Sequence, residues 1–441
     1  MMSLSAQTQT PGARGAARLA RAASRKLASL SEQQRNQALQ LAAERIEENE
    51  GQIVAANAED VHAAELLVGG GKMSAAMLAR LRVTEKTVAD MAEKVRSVVR
   101  LPDPLGRKLS VMEMDEGLVL TKKTCPLGVV AVVFESRPDV IPQVASLALK
   151  SGNAILLKGG SEAVHSNDIL MSIWNQALAD SGVPHGAAQL LHSRADVMDV
   201  LNLDRDVDLL IPRGGKHFVE AISRQSRIPV LGHGEGICHV YVHAAADLQK
   251  AERIVLDSKI DYPAACNAAE TLLVDAAVPA TFLPSIIARL RVAGVEVRGC
   301  ERTRAAASPE QVLAASEADW GTEYGDLILS VKMVDGLDAA ITHIHRFGSS
   351  HTEAIVTEDA AAAERFLKEV DAAGVFHNAS TRFADGYRYG LGAEVGISNG
   401  KLHARGPMGL EGLTTYKYQL RGSGQTVADY KSGKKFIHRP L

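Results

Sequence analysis

The chain has 441 residues, of which 46% are hydrophobic and 23% charged, and its formal net charge is -3. At roughly 100–200 residues per domain, this length predicts two or three globular domains. The near-neutral charge gives no reason to expect nucleic-acid binding, and no apolar run approaches the roughly 20 residues that span a bilayer. The four cysteines form no C-x-x-C pair, which favours a reducing compartment, and we expect the cytoplasm.

The N-terminal segment is basic and has no acidic residue before Glu32; its cations are Arg14, Arg18, Arg21, Arg25 and Lys26. This composition resembles a mitochondrial transit peptide. We favour the alternative of a basic helix, because the alanine-rich pattern continues directly into the next helical segment.

Helical patterns dominate the first hundred residues. Residues 27–66 predict a helix, with Ser31 and Gln34 forming a capping-box pattern. A second helical segment is predicted over about 73–100. Residues 109–123 then predict two strands joined by a hairpin turn at Asp115-Glu116-Gly117.

From residue 128 onward, apolar strands alternate with helices. "GVVAVVF" and "AILLK" flank a helix at 138–151, and the pattern repeats through "AAQLLH", "VDLLIPRGG" and "IPVLG". A second run beyond residue 247 contains "ETLLVD", "VEVRG", "DLILSVKMV", "EAIVT" and "AGVFHN". Continuous apolar strands between helices indicate parallel sheets buried on both faces. A late strand is predicted over 413–421.

Two Gly-Lys segments, "LLVGGGKMS" and "IPRGGKHF", lack the Ser or Thr that a phosphate-binding loop has after its lysine. "PRGGK" nevertheless leaves a buried strand and opens a helix, so its backbone N–H groups either face a pyrophosphate or form an ordinary turn. The histidines of "HIH" and "CHVYVH" have no recognised ligand spacing, and we expect no metal.

Cys266, in "DYPAACNAAETLLV", is the candidate nucleophile. A cysteine among alanines is more often a small buried hydrophobe. A nucleophile needs a lowered pKa and an electrophile beside it, and the local sequence shows neither. From the residues alone, both interpretations stay open.

Several separated motifs then resemble one family. They are "GVVAVVFESRPDV", "GNAILLKGGSEA", "DYPAACNAAETLLV", "VDGLDAAITHIHRFGSSHTEAIVTED" and "GAEVGISNGKLHARGPMGLEGLTTYKY". In this order they resemble the gamma-glutamyl phosphate reductases of the aldehyde dehydrogenase superfamily, from about residue 12 to the C-terminus. The resemblance implies reduction of a γ-glutamyl acyl phosphate to glutamate semialdehyde with NADPH, in proline biosynthesis, and it makes Cys266 the nucleophile that forms a thioester.

The resemblance also implies which residues hold the cofactor. Lys158 follows the strand "AILL", where the superfamily has a lysine that contacts the adenosine ribose. Ser161 stands where relatives that prefer NAD tend to have a glutamate, which favours NADPH, although the neighbouring Glu162 weakens this argument. Gly214 and Gly215 match the turn near the pyrophosphate, and Glu323 matches the acid that holds the nicotinamide ribose.

Two positions depart from the aldehyde-oxidising enzymes of the superfamily. Arg137 stands where those enzymes have an oxyanion-hole asparagine; it either binds phosphate or the developing negative charge, or pairs with Glu135 or Asp139. Arg405 is a second candidate for binding substrate. The glutamate that activates water in the oxidising enzymes is missing, because "LGHGEGICH" places Gly232 or His233 there and Glu235 about three residues away.

We therefore predict an α/β fold of the aldehyde-dehydrogenase type, with two parallel-sheet domains and a small β oligomerisation flap. The expected NADP-binding domain comprises 1–108, 128–246 and 377–412, and the catalytic domain is 247–376. The flap comprises 109–127 and 413–441. Similar flaps pair across subunits, so we expect a homodimer or a dimer of dimers.

No segment is long enough for a glutamate kinase domain, so we expect a separate glutamate 5-kinase to supply the substrate. Docking of that kinase is an open question, and no nucleic acid or membrane partner is expected. Two alternatives remain: an aldehyde-oxidising dehydrogenase, and a binding-only relative that has lost catalysis. The retention of Cys266, Lys158 and Glu323 argues against the second.

Overall fold

The computed structural model describes residues 12–135, 137–232, 234–307, 310–431 and 433–441. The α-helices in that part of the chain are α1 Ala13–Leu27, α2 Glu32–Glu48, α3 Glu50–Gly69, α4 Ala75–Leu81, α5 Glu85–Val99, α6 Val140–Lys150, α7 Val164–Asp180, α8 Arg194–Val200, α9 Lys216–Gln225, α10 Leu248–Ile260, α11 Phe282–Val292, α12 Glu301–Ala306, α13 Gly336–Phe347, α14 Ala360–Glu369 and α15 Val427–Lys431.

The strands in the same ranges are β1 Lys108–Asp115, β2 Leu118–Pro126, β3 Val129–Phe134, β4 Ala154–Lys158, β5 Ala188–Leu190, β6 Leu209–Arg213, β7 Cys238–Val242, β8 Ala269–Asp275, β9 Glu296–Gly299, β10 Leu313–Ala314, β11 Ile328–Val334, β12 Thr352–Val356, β13 Gly374–His377, β14 Ile397–Ser398, β15 Gly406–Pro407, β16 Thr414–Arg421 and β17 Arg439–Pro440. Short 3-10 helices cover Ser161–Ala163, Glu317–Gly321, Thr381–Phe383 and Glu411–Leu413.

Two parallel sheets organise the molecule. The first has four strands in the order β5-β4-β3-β6, and the second has seven in the order β10-β9-β11-β8-β7-β12-β13. β3 and β4 are buried along their whole length, as expected for strands covered on both faces. The predicted α/β architecture with parallel sheets is confirmed.

A third sheet is antiparallel and has the strand order β16-β2-β1-β17. β1 and β2 form the predicted hairpin, in which Asp115 pairs with Leu118. Gly117 lies in the turn at φ 68°, a conformation that glycine adopts without steric cost. β16 then pairs with β2 over its full length, so segments from both halves of the chain meet in this sheet.

Each parallel sheet has its own hydrophobic core. Ala393, Val395, Met408 and Leu410, from the C-terminal part of the chain, pack into the core of the first sheet. A second core surrounds the seven-stranded sheet and includes Val240, Leu272 and Leu329. The segment after β13 therefore returns to the first sheet.

Two sequence-based expectations are wrong in detail. "IPVLG" forms only a single bridge, between Val230 and Leu210, because Pro229 lacks the N–H that a continued ladder needs. The expected domain boundary after residue 246 falls one strand too late. β7 pairs with β8 and β12 inside the seven-stranded sheet.

The basic helix that we favoured at the N-terminus is confirmed over Ala13–Leu27. Its alanine face is buried: Ala13, Ala16, Ala17, Ala20 and Ala23. Residues 1–11, to which the transit-peptide interpretation also applies, lie outside the described residues. Among the residues that are described, no helix combines the length and apolarity needed to span a bilayer.

We predict that Arg35→Ala lowers the free energy of unfolding by about 3 kcal/mol, because it breaks a buried charged pair. Arg35 is 1% exposed, and its guanidinium donates to the Lys150 carbonyl and to Asp103, both at 2.7 Å. Urea unfolding followed by circular dichroism measures the change.

The matched control is Arg45→Ala in the same helix, where the side chain is 42% exposed and pairs with Glu48. This exposed pair contributes about 0.5 kcal/mol or less. Equal unfolding midpoints for the two variants would contradict the structural role of Arg35.

Candidate active site

Cys266 lies in a tight turn between α10 and β8. The backbone N–H of Ala265 donates to the carbonyl of Tyr262 at 3.0 Å, and that of Ala268 to the carbonyl of Ala265 at 2.9 Å. Residues 267–270 are buried, whereas Cys266 remains partly exposed. The turn therefore leaves Cys266 partly accessible at the amino-terminal end of β8, the central strand of the sheet.

The backbone of Gly236 packs directly against the backbone of Cys266. A Cβ at position 236 would lie 1.9 Å from the Cys266 carbonyl oxygen and 2.7 Å from its Cα, so no side chain fits there. The Cys238 thiol also donates to the Cys266 carbonyl, at 3.4 Å. Residues 236–238 therefore lie directly against the backbone of Cys266 and fix its position.

Hydrogen bonds with Ser349 and Asn399 fix residues 235–237. The Ile237 N–H donates to the Ser349 hydroxyl at 2.8 Å. The Asn399 side-chain amide donates to the carbonyls of Glu235 and Ser349, at 3.1 and 3.0 Å. Gly232, one of the two positions that we compared with the hydrolytic glutamate, lies beside Pro212 and Val219. His233 lies outside the described residues.

Burial raises the pKa of the Cys266 thiol to about 12. The charges of the Glu323 and Glu394 carboxylates contribute to this increase, whereas the backbone N–H of Cys266 and the Arg382 guanidinium act against it. The thiol is therefore protonated at neutral pH when no ligand is bound. Glu323, the predicted ribose-binding acid, lies close enough for its charge to act on Cys266.

The two candidate arginines are each engaged by an aspartate. Arg137 donates to Asp139 from Nε and Nη2, at 3.3 and 3.0 Å. Its side chain remains 45% exposed. Arg137 therefore forms the ion pair with Asp139 that the sequence left open. Its side chain is also exposed enough to contact a ligand.

Arg405 forms an ion pair with Asp371 at 2.7 Å. It lines a cavity of about 420 Å³ whose wall includes Pro102 and His403 and does not include Cys266. The structure does not bring Arg405 into the group of charges around the thiol.

Two residues near Cys266 were missed by the sequence analysis. Arg213 is the last residue of β6, and its charge interacts with Arg137, Glu394, Asp139 and Cys266. Glu394 accepts a hydrogen bond from the Gly386 N–H at 2.9 Å, and burial raises its pKa. A charged residue at the carboxyl end of a buried parallel strand is the signal that could have identified Arg213.

The predicted cofactor residues lie at the carboxyl ends of β4 and β6. Lys158 ends β4, is buried, and donates to the Gly159 carbonyl. Burial lowers its pKa, while the charge of Glu162 raises it. Ser161 is exposed and begins the 3-10 helix that follows.

Gly214 and Gly215 connect β6 to α9. A Cβ on Gly215 would meet nothing within 4 Å, whereas one on Gly214 would lie 2.8 Å from Phe218. Open space therefore lies against the backbone at the N-terminus of a ten-residue helix, which suits a phosphate. These residues fit a nicotinamide dinucleotide.

Buried ion pairs support the strands behind Cys266. Lys259 Nζ lies 2.7 Å from Glu270 Oε2, and His239 Nδ1 lies 2.9 Å from Glu353 Oε2; all four side chains are fully buried. Burial raises the pKa of Glu270 to about 7, although Lys259 acts in the opposite direction. These pairs fix β7 and β8 relative to α10 and β12.

The histidines of "HIH" point to different surroundings, as their spacing predicted. His343 is buried and His345 is exposed on α13. Burial lowers the pKa of His343, and the charges of His239 and Lys332 lower it further. Within the described ranges, no group of three histidine, cysteine or acidic side chains is placed to hold a metal ion.

Comparisons with known proteins agree with this fold. The model of the aldehyde dehydrogenase family, whose members use a nicotinamide cofactor, matches residues 3–303. A gamma-glutamyl phosphate reductase from Synechococcus sp. (strain JA-3-3Ab) is 55% identical over 424 residues, covering 96% of this chain and 93% of the relative. The gamma-glutamyl phosphate reductase of Haloquadratum walsbyi is 51% identical over 426 residues, covering 95% and 93%.

A solved structure shows the same relationship. The gamma-glutamyl phosphate reductase of Thermotoga maritima superposes with a TM-score of 0.91 at 38% identity, covering 94% of this chain and all of the relative. The chain therefore belongs to the gamma-glutamyl phosphate reductases, within the aldehyde dehydrogenase family.

We predict that Cys266 reacts slowly with iodoacetamide in the ligand-free protein, because only the thiolate is alkylated. Its rate should rise about tenfold per pH unit between about pH 7 and about pH 10, below the raised pKa. Mass spectrometry of peptides measures the rate at each cysteine.

Cys300 is the internal control. Burial raises the pKa of this thiol, but hydrogen bonds from the Thr303 side chain and from nearby backbone N–H groups outweigh that effect and the pKa is lowered. Cys300 should be alkylated faster than Cys266 near neutral pH. The reverse order would show that Cys266 is activated without a ligand.

We also predict that Gly236→Ala lowers turnover at least about 100-fold, because the added methyl group displaces the backbone of Cys266 from its position. Cofactor binding, measured by calorimetry, should change little. Gly51→Ala is the control, since its Cβ would meet nothing within 4 Å. Wild-type turnover in Gly236→Ala would mean that the contact with Cys266 is not needed.

Proposed function

We propose that this protein reduces L-glutamyl 5-phosphate to L-glutamate 5-semialdehyde and phosphate, in proline biosynthesis, with Cys266 as the nucleophile and NADPH as the reductant. The observation that carries this proposal is the position of Cys266. It is partly exposed at the amino-terminal end of β8, in a chain 55% identical to a gamma-glutamyl phosphate reductase over most of its length.

In the first step, the Cys266 sulfur attacks the acyl carbon, the bond to the phosphate oxygen breaks, and a thioester forms. The acyl phosphate already has a good leaving group, so it needs little activation. The thiol must lose its proton as the S–C bond forms, because burial and the nearby carboxylates keep it protonated at rest. Arg382 is a cation near the sulfur that favours the thiolate.

The bound NADPH supplies the hydride that reduces the thioester. Gly215 leaves the backbone open at the start of α9, where we propose that the pyrophosphate binds next to Gly214 and Gly215. Glu323, partly exposed near Cys266, is proposed to hold the nicotinamide ribose. After reduction, the thiohemiacetal collapses, the aldehyde leaves, and Cys266 is regenerated.

The preference for NADPH over NADH is proposed from Ser161 and Lys158. Ser161 is exposed just beyond the end of β4, where its hydroxyl can donate to a 2′-phosphate. Lys158 is a cation three residues before it. A glutamate at position 161 would repel that phosphate.

We propose that the acyl group exchanges with phosphate and not with water. Hydrolysis of a thioester needs a base within about 3 Å of the attacking water, or connected through one more water. The position corresponding to that base falls on Gly232 or His233 in the sequence, and Glu235 is displaced from it. Phosphate is itself a nucleophilic anion and needs no such base.

We also propose a compartment, a source of the substrate and an oligomeric state. Four free cysteines and a thiol nucleophile suit a reducing compartment such as the cytoplasm. A separate glutamate 5-kinase would supply the acyl phosphate. The antiparallel sheet exposes Tyr416, Tyr418 and Leu420, apolar residues suited to pairing with a second subunit in a homodimer or a dimer of dimers.

The test runs the reaction in reverse, with glutamate semialdehyde and NADP. We predict that NADPH forms steadily only when phosphate or arsenate is present, and that NAD is the poorer substrate. Cys266→Ser should abolish this activity, whereas Cys300→Ser should keep most of it, because only Cys266 is the proposed nucleophile.

Absorbance at the nicotinamide band measures each rate. Full turnover by the wild type in phosphate-free buffer would favour the aldehyde-oxidising alternative. An unaffected Cys266→Ser variant would rule out the thioester.

A further inference from the structure

Arg213, at the end of β6, is partly exposed, and one nitrogen of its guanidinium is buried. Its Nη1 atom is inaccessible to water and forms no hydrogen bond with the residues that the structure describes. A buried guanidinium that lacks hydrogen bonds is destabilising until an anion joins it. Burial accordingly lowers the pKa of Arg213.

The positive charge of Arg137 makes the charged form of Arg213 less favourable still. Arg137 is close enough for its charge to lower the pKa of Arg213. Glu394 and Asp139 act in the opposite direction, but Asp139 is already shared by Arg137 and Lys94, at 3.0 and 3.3 Å. Two adjacent guanidinium groups are typical of a site for a multiply charged anion.

The strands place this pair of arginines beside the nucleophile. Arg213 pairs in register with Phe134 at the end of β3, so Arg137 leaves the same edge of the sheet three residues further on. In the segment between α9 and β7, a Cβ on Gly232 would lie 3.5 Å from the ring of Pro212, which precedes Arg213, and Gly236 packs against Cys266. A thiolate at Cys266 would raise the pKa of Arg213, so the two side chains lie near each other.

We propose that Arg213 binds the phosphoryl group of the acyl phosphate, and equally the inorganic phosphate of the reverse reaction. This inference rests on the proposed function. The phosphate is joined to the carbonyl carbon that Cys266 attacks, so its site must adjoin the sulfur. Guanidinium groups bind phosphate through paired N–H donors, and Arg213 supplies such donors there.

Other anions fit this position less well. The cofactor pyrophosphate is proposed to lie at the start of α9, where the backbone is open at Gly215, whereas Arg213 interacts with the thiol. The α-carboxylate of the glutamyl group is separated from the reacting carbon by its carbon chain. Arg213 is therefore assigned to the leaving group.

Arg213→Gln tests the proposal in the phosphate-dependent oxidation of glutamate semialdehyde by NADP. The KM for inorganic phosphate should rise by about 10- to 100-fold, the loss expected for a charged hydrogen bond. The KM values for semialdehyde and NADP should change less than about 3-fold. Inorganic phosphate should also slow alkylation of Cys266 in the wild type but not in this variant.

Arg213→Lys keeps the charge without the paired donors, so its phosphate KM should rise by a smaller factor. Arg213→Lys also replaces Arg213→Gln as the test variant if Arg213→Gln does not fold, as judged by thermal unfolding. Arg365→Gln, an exposed arginine that pairs with Glu369 on α14, is the control and should behave as the wild type.

A raised KM for semialdehyde with an unchanged KM for phosphate would assign Arg213 to the carboxylate and overturn the proposal. A raised KM for NADP alone, or no change in any KM, would overturn it as well. Failure of the proposed function looks different, because the wild type itself would then turn over without phosphate.

Discussion

The contact between the backbones of Gly236 and Cys266 is the constraint on which the site depends. It joins the loop that leaves the first sheet to the turn that begins the central strand of the second. A Cβ would lie 1.9 Å from the Cys266 carbonyl oxygen, so the two backbones are as close as packing allows. The thiol is thereby held near Arg213, at the carboxyl end of β6.

The charges around the thiol explain why it is inactive at rest. Glu323 and Glu394 disfavour the thiolate, and burial has the largest effect in the same direction. The charges of Arg213 and Arg137 act on each other, and we propose that the anionic group of the substrate binds there. With these charges, the proposed nucleophile Cys266 ionises only after bound ligands change the electrostatic potential at its sulfur. Oxidation and side reactions of the free thiol are thereby limited.

Local patterns in the sequence predicted much of the fold. Continuous apolar segments predicted β3, β4, β8, β11 and β12, and the turn residues predicted the β1–β2 hairpin. These patterns could be recognised because they depend only on residues that are neighbours in the chain. The membership of β7 in the second sheet could not be predicted in this way, since strand order is set by pairing between distant segments. "IPVLG" has the apolar pattern of a strand, but Pro229 prevents the pairing.

The candidate site was likewise predicted only in part from the sequence. Cys266 was identified by motif resemblance, and its surroundings were not. Gly236, Arg213 and Glu394 come from three separate segments, and only the folded chain brings their charges and backbones to the thiol. Arg405 has the right chemistry for an anion, but its ion pair with Asp371 places it in another part of the molecule.

The order of segments in the chain also determines when this protein becomes competent during synthesis. Residues 238–377 form the seven-stranded sheet without interruption, so that unit can fold as soon as it leaves the ribosome. The first sheet lacks Ala393, Val395, Met408 and Leu410 from its core until the chain has been made as far as residue 410. Glu394 arrives on that last segment, and β16 closes the antiparallel sheet later still. A nascent chain therefore carries its nucleophile long before it carries a finished active site.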